Sequence, residues 1–318
     1  LLLSYPFLCP RKHLQIKDEQ AWCSFSSIRV VRAWWSDTAA RMALLKLTRI
    51  CRDMILYGTS AIALFVLFVV GNILKPLPFS KRFIPKLFRL VANVDLPTEM
   101  FFASLVGLEM MKALWRMCCL NIEAKLKTGR PFPDASLIDA ANQQRVNLSD
   151  LTQHGRPLVL NFGSCSWPPF KADLRKFLKI SQRFSNVADF AIIYIEEAHA
   201  ADEWAFEKNV NIFQHQTEEE RQKAAEMLRE DTDLGNVRLF MDTMDNNANE
   251  KYAALPERLF ILHEGKLSYI GGVGPTLYRL EEVEKWLTSF ERKIKRLPFK
   301  MLVHKHSQKN YIAPMRED

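Results

Sequence analysis

Two short segments of the chain hold side chains suited to redox and proton chemistry. In the first, Cys165 and Trp167 follow an apolar run, and Pro168 comes next, a residue favoured in the first turn of a helix. Position 167 is therefore predicted at a helix N-terminus, where the helix dipole and free N–H groups lower the pKa of a thiol and make it a nucleophile. A tryptophan cannot ionise. The segment therefore has the surroundings that a nucleophile needs, but position 167 holds an indole.

The second segment pairs a carboxylate with an imidazole. Glu197 and His199 follow another apolar run, and a histidine with a carboxylate nearby is expected to titrate close to neutrality, as a general acid must. Taken alone, His199 is more often a satisfied surface histidine. Arg258 begins a later apolar run. It is a candidate partner for a substrate carboxylate, although arginines at strand starts are more often solvated or salt-bridged.

Alternating strands and helices are predicted to position both segments. Such alternation after residue 135 indicates an α/β sheet. Position 167 and the Glu197–His199 segment should then follow neighbouring strands at their carboxyl ends, where open sheets bind ligands. Pro256 before a hairpin and a closing helix complete the thioredoxin-like order. The predicted strands are 135–138, 157–162, 190–195, 238–241, 258–262 and 267–270, and the predicted helices are 169–184, 218–229 and 280–295.

An uncharged apolar run of 21 residues, 54–74, precedes this domain. About 20 such residues span a bilayer as a helix. A buried core helix or a cleaved signal peptide fits less well, since core helices rarely stay uncharged this long and no small-residue cleavage site follows. We therefore expect a single N-terminal transmembrane helix before the thioredoxin-like domain. The Lys and Arg residues near its two ends lean towards a cytosolic C-terminal domain.

These patterns divide the chain into five regions. Residues 1–41 precede the first methionine, Met42, and hold Trp22, Trp34 and Trp35 in an unpatterned stretch. We expect them to be an untranslated leader, with translation beginning at Met42. The other regions are an N-terminal segment with the transmembrane helix (42–75), a basic juxtamembrane and linker region (76–134), a catalytic domain (135–297) and a basic C-terminal tail (298–318).

Composition limits the classes of function. The net charge of +8 comes from residues 1–130, which hold 19 Lys and Arg against 8 Asp and Glu. No zinc-ligand spacing or RNA-binding motif accompanies these basic residues, so nucleic-acid binding is not expected. The six cysteines include no C-x-x-C pair, which argues against a disulfide framework and favours a reducing compartment for the C-terminal domain. We expect no metal site and no tightly bound cofactor.

The segment 161–170, Asn-Phe-Gly-Ser-Cys-Ser-Trp-Pro-Pro-Phe, resembles the active-site motif of the iodothyronine deiodinases. It matches that motif at every position except 167, where the family carries selenocysteine. Selenocysteine is encoded by UGA, which some translation tables read as tryptophan, and misread stop codons would also account for the tryptophans before Met42. Further blocks match the family in the same order at 189–199, 214–221, 241–244, 255–259 and 274–275.

The resemblance implies a thioredoxin-like selenoenzyme that removes iodine from iodothyronines. A selenolate at position 167 would attack the iodine, Glu197 and His199 would deliver the proton, and His215 would help to hold the hormone. A thiol reductant would regenerate the selenolate, with Cys165 as the nearest candidate thiol of the chain. The family also implies a homodimer in the membrane of the endoplasmic reticulum or the plasma membrane.

Two other functions stay open. If Trp167 is genuine, its indole would pack against an iodophenyl ring, and the chain would be a catalytically dead iodothyronine-binding protein. A thioredoxin-like or peroxidase-like reductase that works through Cys165 alone is disfavoured by the lack of a C-x-x-C pair. The codon at position 167 separates the first alternative from the enzyme, since TGA indicates selenocysteine and TGG indicates tryptophan.

Overall fold

The computed structural model describes residues 26–92 and 97–296. The chain falls into two compact units, residues 1–54 and 55–318. The described part of the first unit is helical throughout, from Ser26 onwards. Most of the expected leader and the expected tail 298–318 lie outside the described residues. The second unit holds all of the sheet and the remaining helices.

The first helix, α1, runs from Ser26 to Leu74. Its part from Leu44 to Leu74 is 31 residues long, and the most apolar 18 residues within it have a mean hydropathy of 2.2 and are not buried. At 1.5 Å per residue, a stretch of this length exceeds the roughly 30 Å hydrocarbon thickness of a bilayer. Among the described residues it is the one helix long and apolar enough to cross a membrane. The predicted span 54–74 lies within it, as expected for a single-pass membrane protein.

Alkaline carbonate extraction should leave the full-length protein in the membrane pellet. Carbonate strips proteins that are held by charge, whereas a helix with an uncharged run of 21 residues, 54–74, stays in the hydrocarbon layer. The measurement is the distribution of the protein between pellet and supernatant, beside a peripheral and an integral marker protein. Recovery in the supernatant with the peripheral marker would contradict the spanning helix.

Three helices connect α1 to the sheet: α2 (Ser80–Ala92), α3 (Thr98–Phe101) and α4 (Leu108–Ala124). Helix α2 is strongly amphipathic, with its four basic residues on one side, which is typical of a helix at a membrane surface. Helix α4 is bound to the sheet domain through Arg116, whose guanidinium lies 2.5 Å from the buried carboxylate of Glu196.

A single seven-stranded sheet forms the centre of the second unit. The strands are β1 (Ser136–Asp139), β2 (Arg145–Asn147), β3 (Leu158–Gly163), β4 (Asp189–Tyr194), β5 (Arg238–Asp242), β6 (Arg258–His263) and β7 (Lys266–Ile270). Their spatial order is β2-β1-β5-β4-β3-β6-β7; β3, β4 and β5 are parallel, while β1 and β6 run antiparallel to their neighbours. All six predicted strands are confirmed to within about two residues at each end.

Helices cover both faces of the sheet. On one face lie α5 (Pro168–Arg183), α6 (Glu218–Asp231) and α8 (Leu280–Arg296). On the other lie α4 and the short α7 (Asn247–Tyr252). Strand β3 is buried along its whole length because both of its faces are covered. The predicted thioredoxin-like order is therefore confirmed: a parallel β-α-β unit followed by an antiparallel hairpin and a closing helix.

Candidate active site

The end of β3 and the start of α5 place position 167. Gly163 ends the strand, and a Cβ there would lie 2.3 Å from the ring of Phe170, so only glycine lets the first turn of α5 pack this closely on the sheet. Pro168 and Pro169 open the helix, and Trp167 is its N-cap residue. Its own side chain makes no capping hydrogen bond. Position 167 is thus at the positive end of the α5 dipole, as predicted.

The loops after β3 and β4 are held together by hydrogen bonds. The two strands are parallel neighbours, and Gly163 pairs with Tyr194 at their carboxyl ends. Beyond the strands, the amide of His199 donates to the hydroxyl of Ser166 at 3.0 Å. The amide of Ser166 donates to the carboxylate of Glu197 at 2.8 Å. The structure therefore brings both predicted segments together at one edge of the sheet.

The Glu197 carboxylate lies at the centre of a buried polar network. It accepts from the hydroxyl of Tyr194 and the amide of Ser166, and one of its oxygens lies 3.3 Å from Nε2 of His215. Burial acts to raise the pKa of Glu197, but these three contacts together outweigh burial and hold the pKa below its ordinary value. Gln214 fixes the backbone of Glu197 through its amide at both the N–H and the carbonyl. Glu197 is therefore a pre-organised anion.

His199 is enclosed by aromatic rings. It stacks on Phe206 and on Trp167, with ring centroids 3.6 and 5.2 Å away, and meets the edge of Trp204 at 4.4 Å. Its Nδ1 lies 2.7 Å from the carbonyl of Trp204. Because a carbonyl only accepts, Nδ1 carries the proton and Nε2 presents a lone pair. That Nε2 is buried and has no hydrogen-bond partner among the described residues.

The structure differs from the sequence prediction in how His199 titrates. Burial lowers the pKa of His199 to about 4, and the hydrogen bond with the Trp204 carbonyl and the Glu197 charge offset this only in part. The carboxylate of Glu197 contacts His215 and Tyr194 instead, because the chain leaves β4 in a bend and a turn over residues 196–199 that separates the two side chains. His199 is consequently neutral at physiological pH, with Trp167 in place beside it.

His215, predicted from the family resemblance, does lie in the site. Its Nδ1 accepts from Nε of the buried Arg221 at 3.4 Å. Arg221 is held in turn by the backbone carbonyls of Asp242 and Thr243. His215 therefore lies between Arg221 and the Glu197 carboxylate, and it belongs to the polar network around Glu197. Sequence reasoning assigned no role to Arg221.

Cys165 is close to position 167 in sequence, but its thiol is oriented towards α6. Its Sγ atom lies 3.6 Å from the carbonyl of Ala224, and Cys165 as a whole is 1% exposed. Burial raises the pKa of the Cys165 thiol to about 11. At neutral pH the group is therefore a protonated thiol in an apolar cluster, which is a poor nucleophile in this arrangement.

Arg258 does not join the site. It pairs with Phe162 across β3 and β6, and its side chain lies on the face of the sheet that packs against α4 and α7. Its guanidinium donates to the carbonyls of Gly271, Tyr252 and Ala253. The residues of the other face, including Trp167, are separated from it by the sheet. The predicted substrate contact has no support in this geometry.

Ser166, Tyr194 and Glu257 were also not singled out from the sequence. Ser166 and Tyr194 join the Glu197 network described above. Glu257 is 1% exposed and faces the Trp167 indole, and burial raises the pKa of its carboxyl to about 8. Its signal in the sequence was a charged residue between Pro256 and the strand that begins at Arg258. Such a residue must be either at the surface or in a buried site, and periodicity does not say which.

The Glu257 carboxyl is expected to make the protein less stable as the pH rises from 6.5 to 8. Its folded pKa of about 8 lies above the ordinary 4.5, so over this interval the folded protein keeps a proton that the unfolded chain has released. His199 makes the protein more stable as the pH rises, but only below its ordinary pKa of 6.5. At ~1.4 kcal/mol per pH unit, the loss should be about 1–2 kcal/mol.

The Glu257→Gln variant provides the control for this pH dependence. Unfolding in urea, followed in detergent at several pH values, measures the slope for both proteins. The variant should lose the decline between pH 6.5 and 8. An unchanged slope in Glu257→Gln would show that another group carries the effect.

No group of three or more His, Cys, Asp or Glu side chains that could hold a metal ion occurs in the described part of the chain. The site is instead a helix N-terminus, a stacked imidazole and a buried carboxylate network beside it. These groups lie at the carboxyl edge of the sheet in a thioredoxin-like domain, and a membrane helix precedes that domain. This combination is typical of a membrane-bound oxidoreductase.

Comparison with known proteins identifies the family. The sequence profile described as "Iodothyronine deiodinase" matches residues 59–291. Thyroxine 5-deiodinase of Gallus gallus is 38% identical over 59% of this chain and 72% of its own length. Type I iodothyronine deiodinase of Xenopus laevis is 38% identical over 72% of this chain and 93% of its own length. Type II iodothyronine deiodinase of Sus scrofa is 36% identical over 59% of this chain and 78% of its own length. The chain belongs to the iodothyronine deiodinase family.

Proposed function

We propose that this protein reductively deiodinates iodothyronines through a selenolate at position 167. The observation that carries the proposal is the placement of residue 167 as the N-cap of α5, in contact with His199 and beside the Glu197 network. Membership of the deiodinase family supports the substrate class. The helix dipole favours an anion at this position and the aromatic rings favour a planar ligand.

The first half of the reaction transfers iodine from carbon to selenium. The selenolate attacks the iodine, a Se–I bond forms, and the C–I bond breaks with its electron pair left on the ring carbon. A proton then converts that carbon to C–H. His199 and the Glu197–His215 network are the groups placed to supply it, because Glu197 is linked to position 166 through the Ser166 amide and to His215 at 3.3 Å.

The second half regenerates the selenolate. Two thiols reduce the Se–I group, which yields iodide, one disulfide, the selenolate and two protons. The burial and orientation of Cys165 favour an external thiol for this step, since Sγ faces α6 and its pKa is raised to about 11. A small dithiol or a protein thiol is therefore the co-substrate that we propose.

The catalytically dead iodothyronine-binding protein is the second candidate. It is favoured by the fit of the Trp167 indole, which is 5% exposed and stacks on His199. The two candidates make opposite predictions for the protein with Trp167. The binder retains labelled iodothyronine at equilibrium and releases no iodide with excess dithiol, whereas the enzyme requires a selenocysteine codon. Sequencing the transcript for TGA at codon 167 and a selenocysteine insertion element tests the proposal, and TGG would overturn it.

The remaining assignments complete the proposal. Residues 135–297 form the catalytic domain, which faces the cytosol, and the protein resides in the endoplasmic reticulum or plasma membrane as a homodimer. The cytosolic side is supported by the thiol chemistry, because a dithiol reductant is best maintained in a reducing compartment. Protease protection of residues 135–297 in sealed vesicles measures this orientation.

A further inference from the structure

The last two turns of α1 and the amphipathic helix α2 border an apolar cavity of about 420 Å³. Its walls come from the end of α1, from α2 and from the segment that leads into α4, and they are almost entirely aliphatic and aromatic. The lining includes Leu67, Val70, Leu74, Phe83, Leu87 and Met110. A cavity with such walls, beside a segment that spans the hydrocarbon layer, is suited to an acyl chain, because a polar ligand would lose its hydrogen bonds to water there.

A hydrogen-bonded turn fixes how α2 leaves the membrane helix. The hydroxyl of Ser80 lies 2.6 and 2.7 Å from the carbonyls of Lys75 and Leu77, and Ser80 is 1% exposed. The amine of Lys75 donates to the carbonyls of Ala103 and Leu105 at 2.7 and 2.8 Å. Helix α2 therefore begins where α1 leaves the hydrocarbon layer, and these bonds hold it beside the end of α1.

The apolar side of α2 is only partly covered by the protein. Phe79, which precedes the helix, and Phe83, Leu87 and Leu90 within it are 54, 60, 47 and 80% exposed. Neighbouring apolar side chains left open in this way indicate a surface that something else covers. Because α2 follows the spanning part of α1 after a short turn, the boundary between headgroups and acyl chains is the surface that covers them.

The opposite side of α2 carries a strong positive charge. The helix has four basic residues and no acidic one, and at about 100° per residue Lys81, Arg82, Lys86 and Arg89 fall on one side. Lys81, Arg82 and Lys86 are exposed. Basic residues clustered directly beside a membrane span attract acidic lipid headgroups. The charge of α2 is therefore complementary to a headgroup with a net negative charge.

We propose that the junction of α1 and α2 is a binding site for a phospholipid with a net negative headgroup. One acyl chain occupies the cavity, and the headgroup lies against Lys81, Arg82 and Lys86, whose long side chains reach the headgroup level from the edge of the helix. The cavity selects an apolar chain and the basic side selects an anion, and an anionic phospholipid carries both. Neither residue 167 nor an iodothyronine takes part in this site, so it stands or fails independently of deiodination.

Photo-crosslinking measures which lipid occupies the junction. Full-length protein is reconstituted in phosphatidylcholine bilayers that contain a trace of a probe lipid with a photoreactive group on its acyl chain, either phosphatidylserine or phosphatidylcholine. After illumination, mass spectrometry quantifies the label on residues 67–87. Each basic residue near a membrane surface favours an anionic lipid by roughly fivefold. The three residues together should therefore make the phosphatidylserine label about tenfold stronger or more, and equal labelling by the two probes would overturn the proposal.

Charge removal on α2 tests the headgroup contact. The triple variant Lys81→Gln, Arg82→Gln and Lys86→Gln should lose most of the preference for phosphatidylserine. The matched control also removes one arginine and two lysines, from exposed positions of α5 and α6, and should keep the preference; it carries Arg175→Gln, Lys179→Gln and Lys223→Gln. An unchanged preference in the α2 variant, or an equal loss in the control, would show that α2 does not select the headgroup and would overturn the proposal.

Leu87→Trp tests the cavity separately from the charges. The larger ring fills part of the space for the acyl chain and leaves every basic residue in place. The label on residues 67–87 should fall severalfold with both probes, while the label on residues 54–66 stays the same. An unchanged label on 67–87 would show that no chain occupies the cavity.

Ionic strength provides a test that needs no substitution and therefore does not depend on the folding of a variant. Salt screens the attraction between exposed charges and leaves the burial of an acyl chain intact. Raising the salt concentration should weaken labelling by phosphatidylserine and leave labelling by phosphatidylcholine unchanged. A preference for phosphatidylserine that does not respond to salt would overturn the proposal.

Discussion

Replacing Trp167 with selenocysteine is expected to raise the rate of iodide release by roughly 10⁴- to 10⁶-fold, since this is the usual cost of lacking a catalytic nucleophile. The indole cannot ionise, whereas a selenol at the N-cap of α5 meets the positive end of the helix dipole. Trp167→Cys should reach an intermediate rate, because a thiolate is a weaker nucleophile towards iodine and a thiol is less acidic than a selenol. The assay is labelled iodide released from an iodothyronine with excess dithiol.

Trp167→Ser is the matched control for this series. Serine opens the same space beside His199 as cysteine does and differs from it in one atom, so it separates nucleophilicity from the removal of the indole. We expect the serine protein to be as inactive as the Trp167 protein. Equal rates for serine and cysteine, or a Trp167 protein as fast as the selenocysteine form, would show that residue 167 is not the nucleophile; Cys165 would then be tested by Cys165→Ser.

The architecture was predictable because it rests on local patterns. The strands β3, β4 and β6 are mostly apolar runs between turn residues, and the helices α5, α6 and α8 show helical spacing of their apolar residues. Within the catalytic domain, strand β2 and helix α7 were missed, since three and six residues are too short for a periodic signal. Outside it, helix α2 was not predicted either. The N-terminal position of residue 167 on α5 followed from its two prolines.

The pairing within the site was not predictable from spacing. Glu197 and His199 are two residues apart, yet their side chains have different neighbours. The Glu197 carboxylate contacts His215 and Tyr194, while the His199 ring lies among aromatic rings. Whether a charged residue lies in the site depends on which face of the sheet it occupies. Glu257 and Arg258 are adjacent and point to opposite faces, so the residue predicted to bind substrate lies outside the site and its neighbour lies within it.

This enclosure changes the role that His199 can have. With its pKa lowered to about 4, the imidazole is neutral at pH 7, and its Nε2 lone pair is an acceptor and not a donor. Trp167 contributes to that state, because a neutral indole stacked at 5.2 Å helps to exclude water. A selenolate at the same position would place a negative charge beside the ring. An opposite charge within about 4–6 Å raises the pKa of an imidazole, so the nucleophile itself is expected to bring His199 towards the protonated form.

His199→Ala in the Trp167→Sec protein should therefore lower turnover by roughly 10²- to 10⁴-fold, the usual contribution of a positioned acid or base. His199→Phe is the sharper variant, because phenylalanine preserves the stacking on Phe206 and removes only the ring nitrogens. If His199 handles the proton, both variants lose the same turnover, while iodothyronine binding weakens in alanine alone. If His199 serves only as a stacking surface, phenylalanine retains turnover. The deciding comparison is kcat and the equilibrium Kd for the two variants, and a fully active His199→Phe protein would leave Glu197 with His215 as the proton source.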